Sequence, residues 1–237
     1  MIIPNPTDRR DGTIFSREVM MPISSWIERL LEELPGEIRE TLLQDNELEG
    51  AEALEEVMAF LADHLSQEEF TEVMHACSCR YPAEKVAGAR EAFLRNGSVT
   101  EAMDELRDQF MNALSVGMQL DGGIIRRILN SGWGLPGTLS GNTITVTKIP
   151  RSGNLRKYFS SHDPEERRTL YCHCAQVSGA ISQDLPVPEG FCECGAGFYR
   201  HIWEGILGRP VRVEIVETTA AGGHRCTFAI HLSDEGK

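Results

Sequence analysis

Six of the seven cysteines in this chain stand in three Cys-x-Cys pairs: Cys77 and Cys79 in HACSCRYP, Cys172 and Cys174 in YCHC, and Cys192 and Cys194 in FCECG. The seventh, Cys226, is alone in GGHRCTFAI. Two thiolates one residue apart can grip one soft ion with little chain entropy left to lose. Thiolate is a strong ligand for zinc, for iron in a cluster and for copper(I). A segment with Pro186, Pro188 and Gly190 joins YCHC to FCECG and reads as a flexible loop. Cys172, Cys174, Cys192 and Cys194 are therefore the first candidates for a tetrahedral zinc site, with an iron–sulfur cluster as the alternative cofactor. The spacing differs from the usual Cys-x-x-Cys of zinc sites. Free cysteine also serves as a small buried hydrophobe, which is the competing reading for all seven.

The same residues admit a second chemistry. Cys194 falls just before a predicted helix, whose N-terminal amides and dipole favour a thiolate. Cys192 or Cys194 would then be a nucleophile, with His173 or His201 carrying the proton, in a hydrolase acting on a small cyclic amide-like substrate. A third reading is a structural or partner-binding protein with buried cysteines. Cys77 and Cys79 sit at the end of a predicted helix, where residues two apart point about 200° apart. They can share an ion only if the helix has ended there, and His75 is placed to add a nitrogen. Cys226 alternates with Phe228 and Ile230 on a predicted strand, a core pattern rather than a ligand pattern.

Lys148, Arg151, Arg156 and Lys157 form a basic island, soon followed by Arg167 and Arg168. Such an island holds a carboxylate or phosphate, or it pairs with acidic helices at the surface. Tyr171, Tyr199 and Trp203, with Trp133 and Phe198, either line a pocket or pack a core. Lys148, Arg151, Tyr171, Tyr199 and Trp203 are the residues expected to contact a ligand. GAGFY lacks the third glycine and the preceding strand of a dinucleotide fingerprint.

The formal charge of −13 argues against a nucleic-acid surface. Hydrophobic content of 41% and charged content of 25% are those of an ordinary globular protein. No apolar run reaches the length of a membrane span, and MIIPNPTDRRDG lacks the apolar core of a signal peptide. The expected location is the cytoplasm, where paired cysteines mean metal or chemistry more often than disulfides. The expected partners are a small molecule, anionic if the basic island serves it, and a second copy of the chain as a homodimer. Neither nucleic acid nor membrane is expected.

Helices must carry the first half. Trp26, Leu30, Leu31 and Leu34 fall at helical spacing, with Ser25 and Glu28 reading as a capping box, and Pro35-Gly36 as the stop. Ser66 and Glu69 make a second box before the helix that reaches His75 and Cys77. Pro82 opens another helix and Asn96-Gly97 ends it. Further apolar spacings run to Leu129. The texture changes at SGWGLPG, residues 131–137. Thr143 to Ile149 alternates as a strand, Asp163-Pro164 opens a helix toward Tyr171, and Gly195 to Leu207 reads as a helix. Two alternating strands joined by TTAAGGH close the chain.

SGWGLPG, GNTITVTKIPRSGNL, DPEERRTLYCHC, FCECGAGFYRHIWEGILGRPVRVEIVE and HACSCRYP together resemble a bacterial and archaeal family of cysteine-rich proteins without an assigned activity. More distantly, Cys192 to Leu232 is similar to the end of the 4-vinyl reductase-like domain and of L-2-amino-thiazoline-4-carboxylate hydrolase-like proteins. That resemblance implies an α/β domain with a ligand chamber near a metal held by cysteines and a glutamate. Cys192, Glu214 or Glu217, and Cys226 would match. The chain departs from the pattern in lacking a cysteine between that glutamate and Cys226, and in carrying YCHC and FCECG.

The expected architecture is α+β. A polar lead-in (1–20) precedes a helical region (21–131). A cysteine-rich domain (132–237), similar to the 4-vinyl reductase-like domain, follows as helices on a small, mainly antiparallel sheet.

Overall fold

Local helix signals in the first half become helices where the chain supplies caps. The computed structural model describes residues 23–45 and 53–232, so the polar lead-in lies outside the described residues. Helices α1 (Ile23–Glu33), α2 (Gly36–Asp45) and α3 (Ala53–His64) open the described chain. Ser25 lies inside α1 rather than capping it, because the helix already begins at Ile23. Ser66 caps α4 (Gln67–Ala76) in a reciprocal box with Glu69. Pro82 is the N-cap of α5 (Ala83–Asn96), and Gly97 ends that helix at φ 73°, a left-handed conformation that glycine adopts without penalty. Ser98 caps α6 (Val99–Asn112), which widens into a π-helical turn over Ala113–Gly117. Asp121 then caps α7 (Gly122–Asn130).

Strands begin where the glycine- and proline-rich segment predicts. β1 (Thr138–Ser140) and β2 (Thr143–Thr147) form a hairpin. Helices α8 (Leu155–Ser160), α9 (Pro164–Tyr171), α10 (Ala175–Ser182) and α11 (Glu193–Leu207) follow. β3 (Arg212–Glu217) and β4 (Thr227–His231) complete one antiparallel sheet of order β1-β2-β4-β3. The fold is α+β, as expected. Part of the segment between YCHC and FCECG is a helix, α10, rather than loop. Its sequence AQVSGAIS is rich in small residues, and its apolar face is only the short set Val177, Ala180 and Ile181.

The packing does not divide where the sequence texture does. One core joins α5, α6 and α7 to the sheet and α11, around Phe110, Tyr171, Trp203 and Phe228. A second joins α1, α3 and α4 to Cys172, Val177 and Phe191. Helix α11 packs against α4 and α5 on one side and the sheet on the other. Its approach to α4 needs glycine: a Cβ on Gly197 would stand 2.5 Å from the His75 Cα and 2.6 Å from its carbonyl oxygen. No described helix is long and apolar enough to cross a membrane.

Candidate metal centre

Helix ends deliver the cysteines to the seam between the two cores. Cys172 is the C-cap of α9 and Cys174 the N-cap of α10. Cys192 is the N-cap of α11, and Cys194 sits in its first turn. Cys226 immediately precedes β4. Cys174 is the hub: it lies within electrostatic reach of Cys172, Cys192 and Cys194, and a charge on it pushes each of their pKa values up. Cys226 acts on Cys172 and Cys192 in the same way. The Thr219 hydroxyl stands 3.7 Å from the Cys226 sulfur and also bonds Cys172, while Thr218 bonds Cys192.

The HACSCRYP pair separates. α4 ends at Ala76, so Cys77 becomes the C-cap and is fully buried, with Glu33, Arg29 and Arg80 as its charged neighbours. Cys79 turns the other way and is hydrogen-bonded to the Cys194 thiol. The pool thus comprises Cys79, Cys172, Cys174, Cys192, Cys194 and Cys226, without Cys77. None of the seven cysteines is in a disulfide.

Burial dominates their acidity. Cys172 and Cys192 are pushed up to about 12, chiefly by desolvation and then by Cys226. Cys194 is raised well above the usual thiol range by its bond to Cys79 and by burial. The sequence reading has the start of α11 activating Cys192 or Cys194 as a nucleophile. Both thiols move the opposite way, Cys192 chiefly through burial and Cys194 chiefly through its hydrogen bond to Cys79 and then burial.

Two histidines are held neutral. His173 is depressed to about 4 by burial, with Lys148 and Arg151 adding to the effect, and its Nε2–H donates to the Ile149 carbonyl. His201 is lowered by burial and donates from Nε2 to the His75 carbonyl, 3.0 Å away. His75 faces Glu193 through Nε2 at 3.1 Å and accepts from Arg200 at Nδ1. That polar link ties α4 to the residue between Cys192 and Cys194.

The basic island divides. Lys157 pairs with Glu166 and Arg168 with Glu165, Arg156 donates to the Gln119 carbonyl, and Arg167 stacks on Tyr158. Lys148 instead turns inward. Its Nζ lies 5.4 Å from the Phe198 ring, 5.8 Å from Tyr199 and 5.4 Å from Phe228. Arg151 donates its backbone N–H to the Tyr171 carbonyl and sits near His173. The Tyr171 hydroxyl donates to the Lys148 carbonyl and accepts from the Cys226 N–H, which fixes both neighbours of the pool. Trp203 is fully buried core further along α11, with an unpaired indole N–H.

The glutamates implied by the 4-vinyl reductase-like resemblance are engaged elsewhere. Glu214 pairs with Arg212 and His231 on the outer face of β3. Glu217 binds Arg225 and the His224 N–H. A cavity of about 350 Å³ lies between α5 and the π-helical turn, lined by Tyr81, Lys85, Asn112 and Val116 among others, and no cysteine lines it. Among the described residues, no group of three or more His, Cys, Asp or Glu side chains is placed so that it could hold a metal ion.

Sequence reasoning missed Cys79 as a member separate from Cys77, the two threonines, and the aromatic surroundings of Lys148. The Cys-x-Cys spacing signalled Cys79 but not its direction. Comparison of the chain with protein-family models, curated proteins and solved structures finds no match.

Proposed function

We propose that the protein is a thiolate metal-binding protein, with zinc as its ion. The observation that carries this reading is Cys174, a half-buried hub acting on Cys172, Cys192 and Cys194. Thiols that raise one another's pKa are a poor arrangement for water or protons. They are a good one for a soft cation, which removes their protons and reverses the repulsion. Thiolate is the donor type that such an ion takes. Each sulfur is set by one χ1 torsion, so rotamer steps can rearrange the set about an ion. Cys172, Cys174, Cys192 and Cys194 would hold it, with Cys79 and Cys226 adjacent. The ion would supply the tie between α9, α10 and α11. A reducing compartment such as the cytoplasm suits these thiols.

The test is elemental analysis of protein purified under reducing conditions without chelator. Zinc near one equivalent per chain, falling sharply in Cys174→Ser, is the expected result. Visible absorption with bound iron would move the assignment to an iron–sulfur cluster. Folded protein that takes up neither metal would defeat the reading.

A further inference from the structure

We propose that the cavity between α5 and the π-helical turn is a binding site for a small monocarboxylate with an apolar body. The site is separate from the cysteines and does not depend on the metal reading.

Helices α5 and α6 are joined by the tight turn at Gly97 and pack side by side, so the start of α5 stands beside the end of α6. There the chain widens: the Met118 N–H bonds to the Ala113 carbonyl, five residues back, at 2.8 Å. Such π turns are uncommon and recur at functional sites. This one keeps Ala113 and Leu114 in the core while Val116 stands 67% exposed. The cavity beside it is about 350 Å³, within the range of roughly 300–1,000 Å³ usual for small-molecule sites.

The lining fixes the chemistry of the occupant. The Tyr81 ring, Ala113 and Val116 offer carbon surface, Gln109 and Asn112 offer amides, and Lys85 is the one charged residue among them. Lys85 is half-buried, with its Nζ 6.0 Å from the Tyr81 ring centre. None of the ion pairs among the described residues involves it. Glu105, which reaches α5 at Gly88, accepts from Gln109 Nε2 at 2.9 Å instead. Burial pushes the Tyr81 hydroxyl up to about 12, so it keeps its proton and adds no negative charge beside Lys85. An ammonium drawn partly out of water gains from an anion, and a single cation matches a single negative charge. A phosphate dianion would call for a second cation, and no other described residue lining the cavity carries one. Amide N–H groups suit the carboxylate's second oxygen. The exposed Val116 is then covered by the ligand's hydrocarbon, which removes apolar surface from water.

The experiment is isothermal titration calorimetry at constant ionic strength with hexanoate and phenylacetate, their uncharged counterparts hexanamide and phenylacetamide, and acetate. At least one of the two larger acids should bind saturably with one site per chain, and its amide and acetate should bind at least about 10-fold more weakly. Lys85→Met should weaken the acid by about 10-fold or more, the size of one charge-assisted contact. Val116→Ser, at an exposed position, should weaken it several-fold. A second readout needs no variant: amine acetylation of the wild type, mapped by mass spectrometry, should fall several-fold at Lys85 when the acid is present, while exposed Lys157 is unchanged. Absence of saturable binding by either acid, equal binding of acid and amide, equal affinity in Lys85→Met, or unaltered Lys85 acetylation overturns this inference. None of these outcomes touches the metal content, which tests the other reading separately.

Discussion

The Cys194 thiol on α11 is hydrogen-bonded to Cys79, a residue that follows α4 and belongs to the other half of the sequence. Cys77, two residues earlier, is buried on the opposite side against α1. The end of α4 between them decides which cysteine joins the pool.

Cys79 and Cys77 should therefore behave differently. Cys79→Ser is expected to lower zinc content or affinity, while Cys77→Ser keeps wild-type zinc. The latter should still melt lower, since a buried thiol is replaced by a hydroxyl that needs a partner. Elemental analysis and thermal melting of both variants check this; loss of zinc in Cys77→Ser alone would reverse the assignment.

Gly197 should tolerate no side chain. Alanine there meets the His75 backbone rather than a flexible side-chain end. We expect Gly197→Ala to destabilise by about 1–3 kcal/mol, the range for overpacked positions. Urea unfolding measures it. Gly179→Ala, where a Cβ meets nothing within 4 Å, is the control and should be neutral or slightly stabilising.

The capping box of α4 is a local device with a distant effect, because α4 leads to Cys79. Ser66→Ala removes the acceptor for the Glu69 N–H and the partner of the Glu69 carboxylate. A loss of about 1 kcal/mol is expected. An unchanged unfolding midpoint would mean the box is redundant.

Acid should destabilise the fold through its neutral histidines. Burial holds His173 at about 4 and lowers His201, against about 6.5 in the unfolded chain. Below about pH 6.5 the unfolded chain takes up protons that the folded one refuses. The contribution is complete above that pH and is lost as pH falls toward the folded value of His173, about 4. For His173 it amounts to at most roughly 3 kcal/mol at about 1.36 kcal/mol per pKa unit. Unfolding free energies of the wild type and His173→Asn at about pH 7.5, 6 and 5 test this, since metal release common to both cancels. Equal slopes would show that His173 does not titrate this way.

Much of the architecture is legible in the sequence because its signals are local. Ser66 with Glu69, Asn96 before Gly97, and the alternation from Thr143 each report on neighbours a few residues away. The hub role of Cys174 is foreshadowed by two close-spaced pairs joined by a short segment. Lys148 is visible only as part of a basic island. Its inward turn depends on rings from α11 and β4, whose meeting is a tertiary fact with no trace in sequence spacing. Helix α10 carries too few apolar residues to show a period, and β1 is too short to alternate.

Helix α11 serves both cores, and at Gly197 it meets α4 at backbone contact. A joint without slack has a consequence for cooperativity. The two clusters of buried residues cannot open one at a time, since separating α4 from α11 strips apolar surface from both. The chain should therefore lose its structure in one transition by every probe, although its texture suggests two halves.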